Sequence, residues 1–195
     1  DLSVYRQSRY INDWAGFPLY HNTSTKYYSC GEEMFPDMLA ALESAKHFIF
    51  LEYFIIEEGH MFHQIEDILE KKVKEGVEVR LIYDDVGCIG TLPPRYYKQL
   101  QKKGIKCAAF NPFRPLLSVI MNNRDHRKIF VVDGAVGFTG GINLADEYIN
   151  EVKRFGYWKD TGVRIEGEAV WSLTSMFFHG RLQPVYAGTA SESTL

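Results

Sequence analysis

Only three of the 195 residues in this chain are cysteine: Cys30, Cys88 and Cys107. Their odd number, wide spacing and lack of any C-x-x-C pair argue against a disulfide framework, and point to unpaired thiols in a reducing compartment. Packing as small buried hydrophobes is the ordinary fate of such residues. Long apolar runs are missing too. None approaches the roughly 18 residues of a membrane span, and the longest, from Phe48 to Ile56, is interrupted by Glu52. There is no secretory leader, and the chain starts at Asp1 rather than Met, as a soluble piece excised from something longer would. Asn22-Thr23-Ser24 is formally a glycosylation sequon, but nothing else suggests secretion. Charge of one sign is scarce: a net charge of −3 gives no support to a general nucleic-acid binder, so nucleic acid is not an expected partner. No internal repeat is visible.

What is present suits one folded domain, with 46% apolar and 24% charged residues. Residues 1–16 read as a lead segment, 17–187 as the domain, and 188–195, small and polar, as a disordered tail. Two short β-like runs within 17–30 suggest a hairpin around Asn22-Thr23-Ser24. Pro36 is expected to open an amphipathic helix carrying Met38, Leu39, Leu42 and Ala45. A buried strand follows over 47–55, then a helix over 60–74 with an apolar stripe of Phe62, Ile65, Ile68, Leu69 and Val73. Its Glu66-Asp67 and Lys71-Lys72 cluster reads as a solvated face, and His60-x-x-His63 as a solvated helix start without a third metal ligand. Strands are expected over 77–83, 105–110, 127–132, 136–139 and 162–165, and helices from Pro93 to Lys103, Leu144 to Ile149 and Glu168 to Phe178. This alternation implies an α/β fold, a mixed β-sheet sandwiched between helices.

The chemistry concentrates in one run, His126-Arg127-Lys128 through Asp133 to Gly140-Gly141-Ile142-Asn143, or H-x-K-x4-D-x6-G-G-x-N. Side chains alternate along a strand, so His126 and Lys128 share a face. Ile129 to Val132 are all apolar, as in a strand buried on both sides, which leaves the polar pair at its end. Asp133-Gly134 is a hairpin turn signal, and counting back from it sets Gly140 to Asn143 beside the pair. The two glycines let an oxyanion approach their amides, and Asn143 can N-cap the next helix, whose amide end favours anions. Asp133 lies seven strand residues from His126, roughly 23 Å, and belongs to the turn. A nucleophilic imidazole needs a carboxylate on its second nitrogen. Asp160 and Glu52 are the two candidates, with Asp160 preferred, and each has a plain ion-pair role as its alternative. Leu116, Leu117, Val119, Ile120 and Met121, flanked by Arg114 and Arg124, form an apolar run that is either core or a lipid-facing lip over the site.

These residues resemble the phospholipase D superfamily, whose signature is a His-Lys-Asp (HKD) motif followed by G-[SG]-x-N. Leu51-Glu52-Tyr53-Phe54-Ile55, the stretch from His126 to Tyr148, Trp158-Lys159-Asp160-Thr161 and Val163-Arg164-Ile165-Glu166-Gly167 are similar to bacterial cardiolipin synthases. The likeness runs from about residue 17 to 180. It implies a phospholipase D/nuclease-like fold holding one HKD half, and catalysis by His126, Lys128 and Asp133 without metal or cofactor. His126 would form a phosphohistidine, Lys128, Asn143, Gly140 and Gly141 would bind phosphate, and an acid about thirty residues downstream, matched by Asp160, would orient the histidine. The implied substrate is phosphatidylglycerol, at the cytoplasmic side of the cell membrane in the full-length protein. Such synthases carry two HKD motifs, and no other histidine here has lysine two residues on. The implied partners are therefore a second HKD domain of the same polypeptide or a homodimer mate, together with the membrane surface. Two other functions stay open: a single-motif endonuclease active as a homodimer, and an inert half that only binds lipid phosphate. Gly141 stands where the superfamily often has serine.

Overall fold

A computed structural model describes residues 2–112 and 124–181. In chain order the elements are α1 (Leu2–Ala15), β1 (Thr23–Tyr28), α2 (Gly31–Ser44), β2 (Phe48–Tyr53), α3 (His60–Lys74), β3 (Glu78–Asp84), α4 (Tyr97–Lys102), β4 (Lys106–Phe110), β5 (Ile129–Val132), β6 (Val136–Gly140), a 3₁₀ turn (Asp146–Ile149), β7 (Gly162–Gly167) and α5 (Val170–Arg181). The strands form one sheet in the order β1-β7-β6-β5-β2-β3-β4. Strands β2, β3 and β4 are parallel, whereas β2-β5, β5-β6, β6-β7 and β7-β1 are antiparallel. The fold is thus the expected mixed sheet with helices on both faces.

Strand alternation divides the core between those faces. Ile49, Leu51 and Tyr53 of β2 join Leu81, Phe130 and Val132 beneath α2 and α3. Phe50, Ile82, Ile129 and Val131 point the other way and pack on Val170, Leu173 and Phe177 of α5. Phe50 stacks on Phe177 at 4.9 Å. Each such fully buried side chain contributes about 1.5–3 kcal/mol.

Two carboxylates act as clamps between distant elements. Asp133, at φ 53° in the β5–β6 turn, accepts the backbone N–H groups of Lys46, His47 and Phe48, each at 2.8 Å. It thereby fixes the turn between α2 and β2. Asp146 accepts from the His60 and Met61 amides at 2.9 and 2.8 Å, capping α3 where Gly59 has no side chain to do so.

Several sequence expectations are corrected. Residues 17–30 hold a single strand, β1, which adds to β7 instead of folding back, because Asn22 is tied to Glu168 through both side chain and backbone. Helix α2 starts at Gly31, so Pro36 lies inside it, in the second turn. The helix expected from Pro93 is shortened to α4, and that expected over 144–149 is a 3₁₀ turn. The lead segment is helical, and α1 buries none of its residues. On α3, Glu66 and Lys72 are buried rather than solvated: Glu66 accepts from Tyr96 Oη and Lys103 Nζ, both at 2.9 Å, and Lys72 pairs with Glu75 at 2.8 Å. All three cysteines are buried and unpaired. The apolar run 116–121 and the tail 188–195 lie outside the described residues. Among the described residues no helix is long and apolar enough to cross a membrane.

Candidate active site

The parallel and antiparallel parts of the sheet meet where β2 ends and the chain enters β5. The pairing of Phe130 with Phe138, continued backwards, sets Lys128 against Gly140, and Thr139 Oγ1 donates to the Lys128 carbonyl at 2.9 Å. His126 is exposed, while Lys128 is buried. The Lys128 ammonium donates to the His126 carbonyl at 2.8 Å and lies 3.1 Å from His126 Nδ1. Phe54, just beyond β2, places its ring 4.5 Å from the imidazole and 5.5 Å from the ammonium, a cation–π distance. Burial lowers the pKa of Lys128, and the charges of Asp160 and Asp125 only partly offset this.

Asp160 reaches the site on the approach to β7. A Cβ on Gly141 would run into its carboxylate, so the missing side chain is the space that the acid fills. Asp160 Oδ1 accepts from the Thr161 amide at 2.8 Å. The loop before it is pinned by Asn150 at φ 56°, which donates to the Trp158 carbonyl at 2.9 Å and accepts its N–H at 2.7 Å. Trp158 in turn packs 5.0 Å from Tyr148.

Asn143 is buried, and its side chain does not N-cap the next turn, whose N-cap is Ala145. Its Oδ1 accepts the Ile55 amide at 3.1 Å and its Nδ2 donates to Tyr148 Oη at 2.8 Å. Asn143 thus fixes the residue next to Phe54 and, through it, the wall against His126. The Gly141 amide donates to Thr161 O at 3.0 Å, continuing the β6–β7 ladder, and is not open to an anion as the sequence suggested. At Gly140, with φ 152°, a Cβ would meet the Thr161 backbone. The glycine pair therefore serves the close approach of residues 160–162.

Glu52 does not join the cluster. It alternates with Leu51 and Tyr53, pairs in register with Ile129, and lies on the α5 face, where its Oε1 is 2.6 Å from Arg127 Nη2. Lys128, one residue on from Arg127, takes the opposite face. Asp133 is likewise remote in role, its carboxylate bound to the 46–48 backbone. Phe54, Tyr148 and Asn150 escaped the sequence reading of the site. The five-residue spacing of Asn143 and Tyr148 across a tight turn is the one signal that could have linked two of its members.

A family model described as "Cardiolipin synthase, PLD-like domain" matches residues 38–169. An uncharacterized protein of Streptococcus mutans is 53% identical over 174 residues, 89% of this chain and 38% of that protein. A cardiolipin synthase of Alkalihalophilus pseudofirmus is 43% identical over 161 residues, 82% of this chain and 32% of its own length. The chain therefore spans about a third of the curated relatives it matches. Among solved structures, the phospholipase D family member Nuc from Salmonella typhimurium superposes with a TM-score of 0.57 at 19% identity, over 82% of this chain and 92% of that one, a likeness of fold. With an HKD-type pair on a mixed sheet and a matching model over most of its length, the chain belongs to the family of the cardiolipin synthase, phospholipase D-like domain.

Proposed function

We propose that this chain is one catalytic half of a phosphatidyltransferase of cardiolipin synthase type, acting on phosphatidylglycerol. The observation that carries the reading is the exposed His126 ring with a buried lysine ammonium 3.1 Å from it. An imidazole open to solvent can reach a phosphodiester, and the cation beside it can take up charge on the phosphoryl oxygens. His126 Nε2 attacks phosphorus, the glycerol oxygen leaves, and a phosphatidyl-histidine forms. Attack needs the Nε2 lone pair, hence a proton on Nδ1. Lys128 then turns its ammonium from Nδ1 to the phosphoryl oxygens, and Asp160 accepts a hydrogen bond from Nδ1–H, which stays on the ring. Asn143 sets the site's wall through its hydrogen bonds to Ile55 and Tyr148. The leaving alcohol is protonated by a histidine from a second HKD half, in the same polypeptide or in a homodimer mate. A second alcohol, giving its hydroxyl proton to that same second histidine, then attacks phosphorus and breaks the bond to His126 Nε2, giving cardiolipin when that alcohol is another phosphatidylglycerol. The reading needs no metal or cofactor, and places the full-length protein at the cytoplasmic side of the membrane.

Phosphatidylglycerol labelled at phosphorus should transfer label to the chain in an acid-labile, base-stable form, and His126→Ala should lose it completely. Label retained in that variant refutes the nucleophile. A second reading, a phosphodiesterase that completes its site as a homodimer, is favoured by the match to 92% of the Nuc chain, a molecule of similar extent. Cleavage of plasmid DNA by a dimer, without phosphatidyl transfer, would select it.

A further inference from the structure

Three carboxyls and two guanidiniums are packed together on the α5 face of the sheet, directly behind His126. Glu52, Asp84 and Asp125 are 1%, 0% and 7% exposed. Asp84 accepts the amides of Asp125 at 3.0 Å and Gly87 at 2.9 Å, and lies 3.3 Å from Arg124 Nη1. The Asp125 carboxylate accepts the Arg127 amide at 3.1 Å, its Nε at 3.0 Å and its Nη2 at 2.9 Å. Arg127 Nη1 donates to the Met176 carbonyl on α5 at 3.1 Å. Both neighbours of His126 are thus fastened to the back of the sheet, while the imidazole itself faces out.

Among the described residues the charges do not balance if every acid is ionised, because three carboxylates would face two cations. An excess charge in so dry a place is costly, and one retained proton removes it. Asp84 and Asp125 are surrounded by donors, as carboxylates require. Both Glu52 oxygens are buried without an aligned donor, even where Arg127 approaches to 2.6 Å. Burial and then the Asp125 carboxylate push the Glu52 carboxyl up to about 9. Asp125 goes the other way: burial opposes its ionisation, but Arg127 and Glu52 outweigh it and hold its pKa down.

We propose that Glu52 is a positioning residue for His126: as a neutral acid it donates a hydrogen bond to the Asp125 carboxylate, and Asp125 and Arg127 hold the peptide on either side of the nucleophile. The catalytic meaning of this device rests on the reading of His126 as nucleophile. Its geometry does not. Among the described residues, the charged groups facing Glu52 are Asp125 and Arg127 from the approach to β5. Asp84 of β3 and Arg124 complete the cluster, α5 supplies a main-chain carbonyl, and Lys128 lies on the other face.

Two measurements on the whole chain test it. Carboxyl ¹³C NMR should find the Glu52 group protonated at neutral pH and titrating well above the ordinary carboxylate range. The His126 C2 proton should be followed through pH in Glu52→Gln and Glu52→Leu, together with the rate of His126 acylation by diethyl pyrocarbonate. Glu52→Gln keeps a donor, and should leave both within about twofold of the parent. Glu52→Leu has none, and should move the His126 midpoint by about half a unit or more and the acylation rate by about threefold or more, with circular dichroism unchanged. A Glu52 that ionises in the ordinary range, a glutamine variant as perturbed as the leucine one, or a folded leucine variant with an unaltered His126 would each overturn the proposal. Should Glu52→Leu fail to fold, the carboxyl titration and the glutamine variant decide. Failure of the parent chain to take label from phosphatidylglycerol would refute the proposed activity while leaving the His126 titration readable.

Discussion

Gly140 and Gly141 are adjacent, and neither has room for a methyl group, yet the obstacles differ. At Gly140 the obstacle is the Thr161 backbone and the φ is 152°, so nothing can move aside. Gly140→Ala should cost about 2 kcal/mol or more in urea denaturation. At Gly141 the obstacle is the Asp160 carboxylate, the end of a side chain that can rotate. Gly141→Ala should keep stability within about 1 kcal/mol, but displace the acid and lower phosphohistidine yield about tenfold. Equal losses of stability at both positions would show that Asp160 is held as rigidly as main chain. The nearness of His126 and Lys128 was readable from strand alternation alone, whereas Asp160 was one of two candidate acids, preferred for its place before β7 and for the resemblance. The placing of Glu52 was not readable. It depends on the pairing of β2 with β5, strands far apart in the chain, and a one-residue change of register would have put it on the other face.

Among the elements, the hairpin turn and the α2–β2 turn are joined through one side chain, Asp133. Burial works to raise its pKa, but the amides of Phe48, Lys46 and His47 outweigh this and hold it below the ordinary range. Its folded pKa is therefore lower than its unfolded one. The stabilisation is present above the unfolded value, and is lost as the pH falls through the folded value. Asp133→Ala should cost about 2–3 kcal/mol near neutrality, and the gap from the parent should narrow on acidification. A gap constant with pH would mean that the amides are satisfied without the charge. Helix α1 is the opposite case, since it buries none of its residues. Removing residues 1–16 should change stability by less than about 0.5 kcal/mol. A larger loss in a thermal melt would show that α1 docks. The central strands and α3 were legible because their periods are long and unbroken. The single strand β1 was misread as a hairpin, because its partner is supplied by β7 from the far end of the domain.

As a whole molecule, the chain corresponds to about a third of its curated relatives. In the proposed chemistry it supplies one nucleophile, and the histidine that protonates the leaving alcohol comes from the second HKD half. Mixing it with the matching second half should restore cardiolipin synthesis from phosphatidylglycerol, read by thin-layer chromatography. Either half alone should give at most about one hundredth of that rate. Synthesis by this half alone at the full rate would mean that a second copy supplies the missing acid. The main-chain N–H of Gly141 is engaged by the Thr161 carbonyl. On the proposed reading, a diester at His126 meets the Lys128 ammonium instead of a fixed main-chain dipole. Its hold on the headgroup should therefore weaken with added electrolyte and vanish on acetylation of Lys128, a sensitivity that a peptide nest would not have.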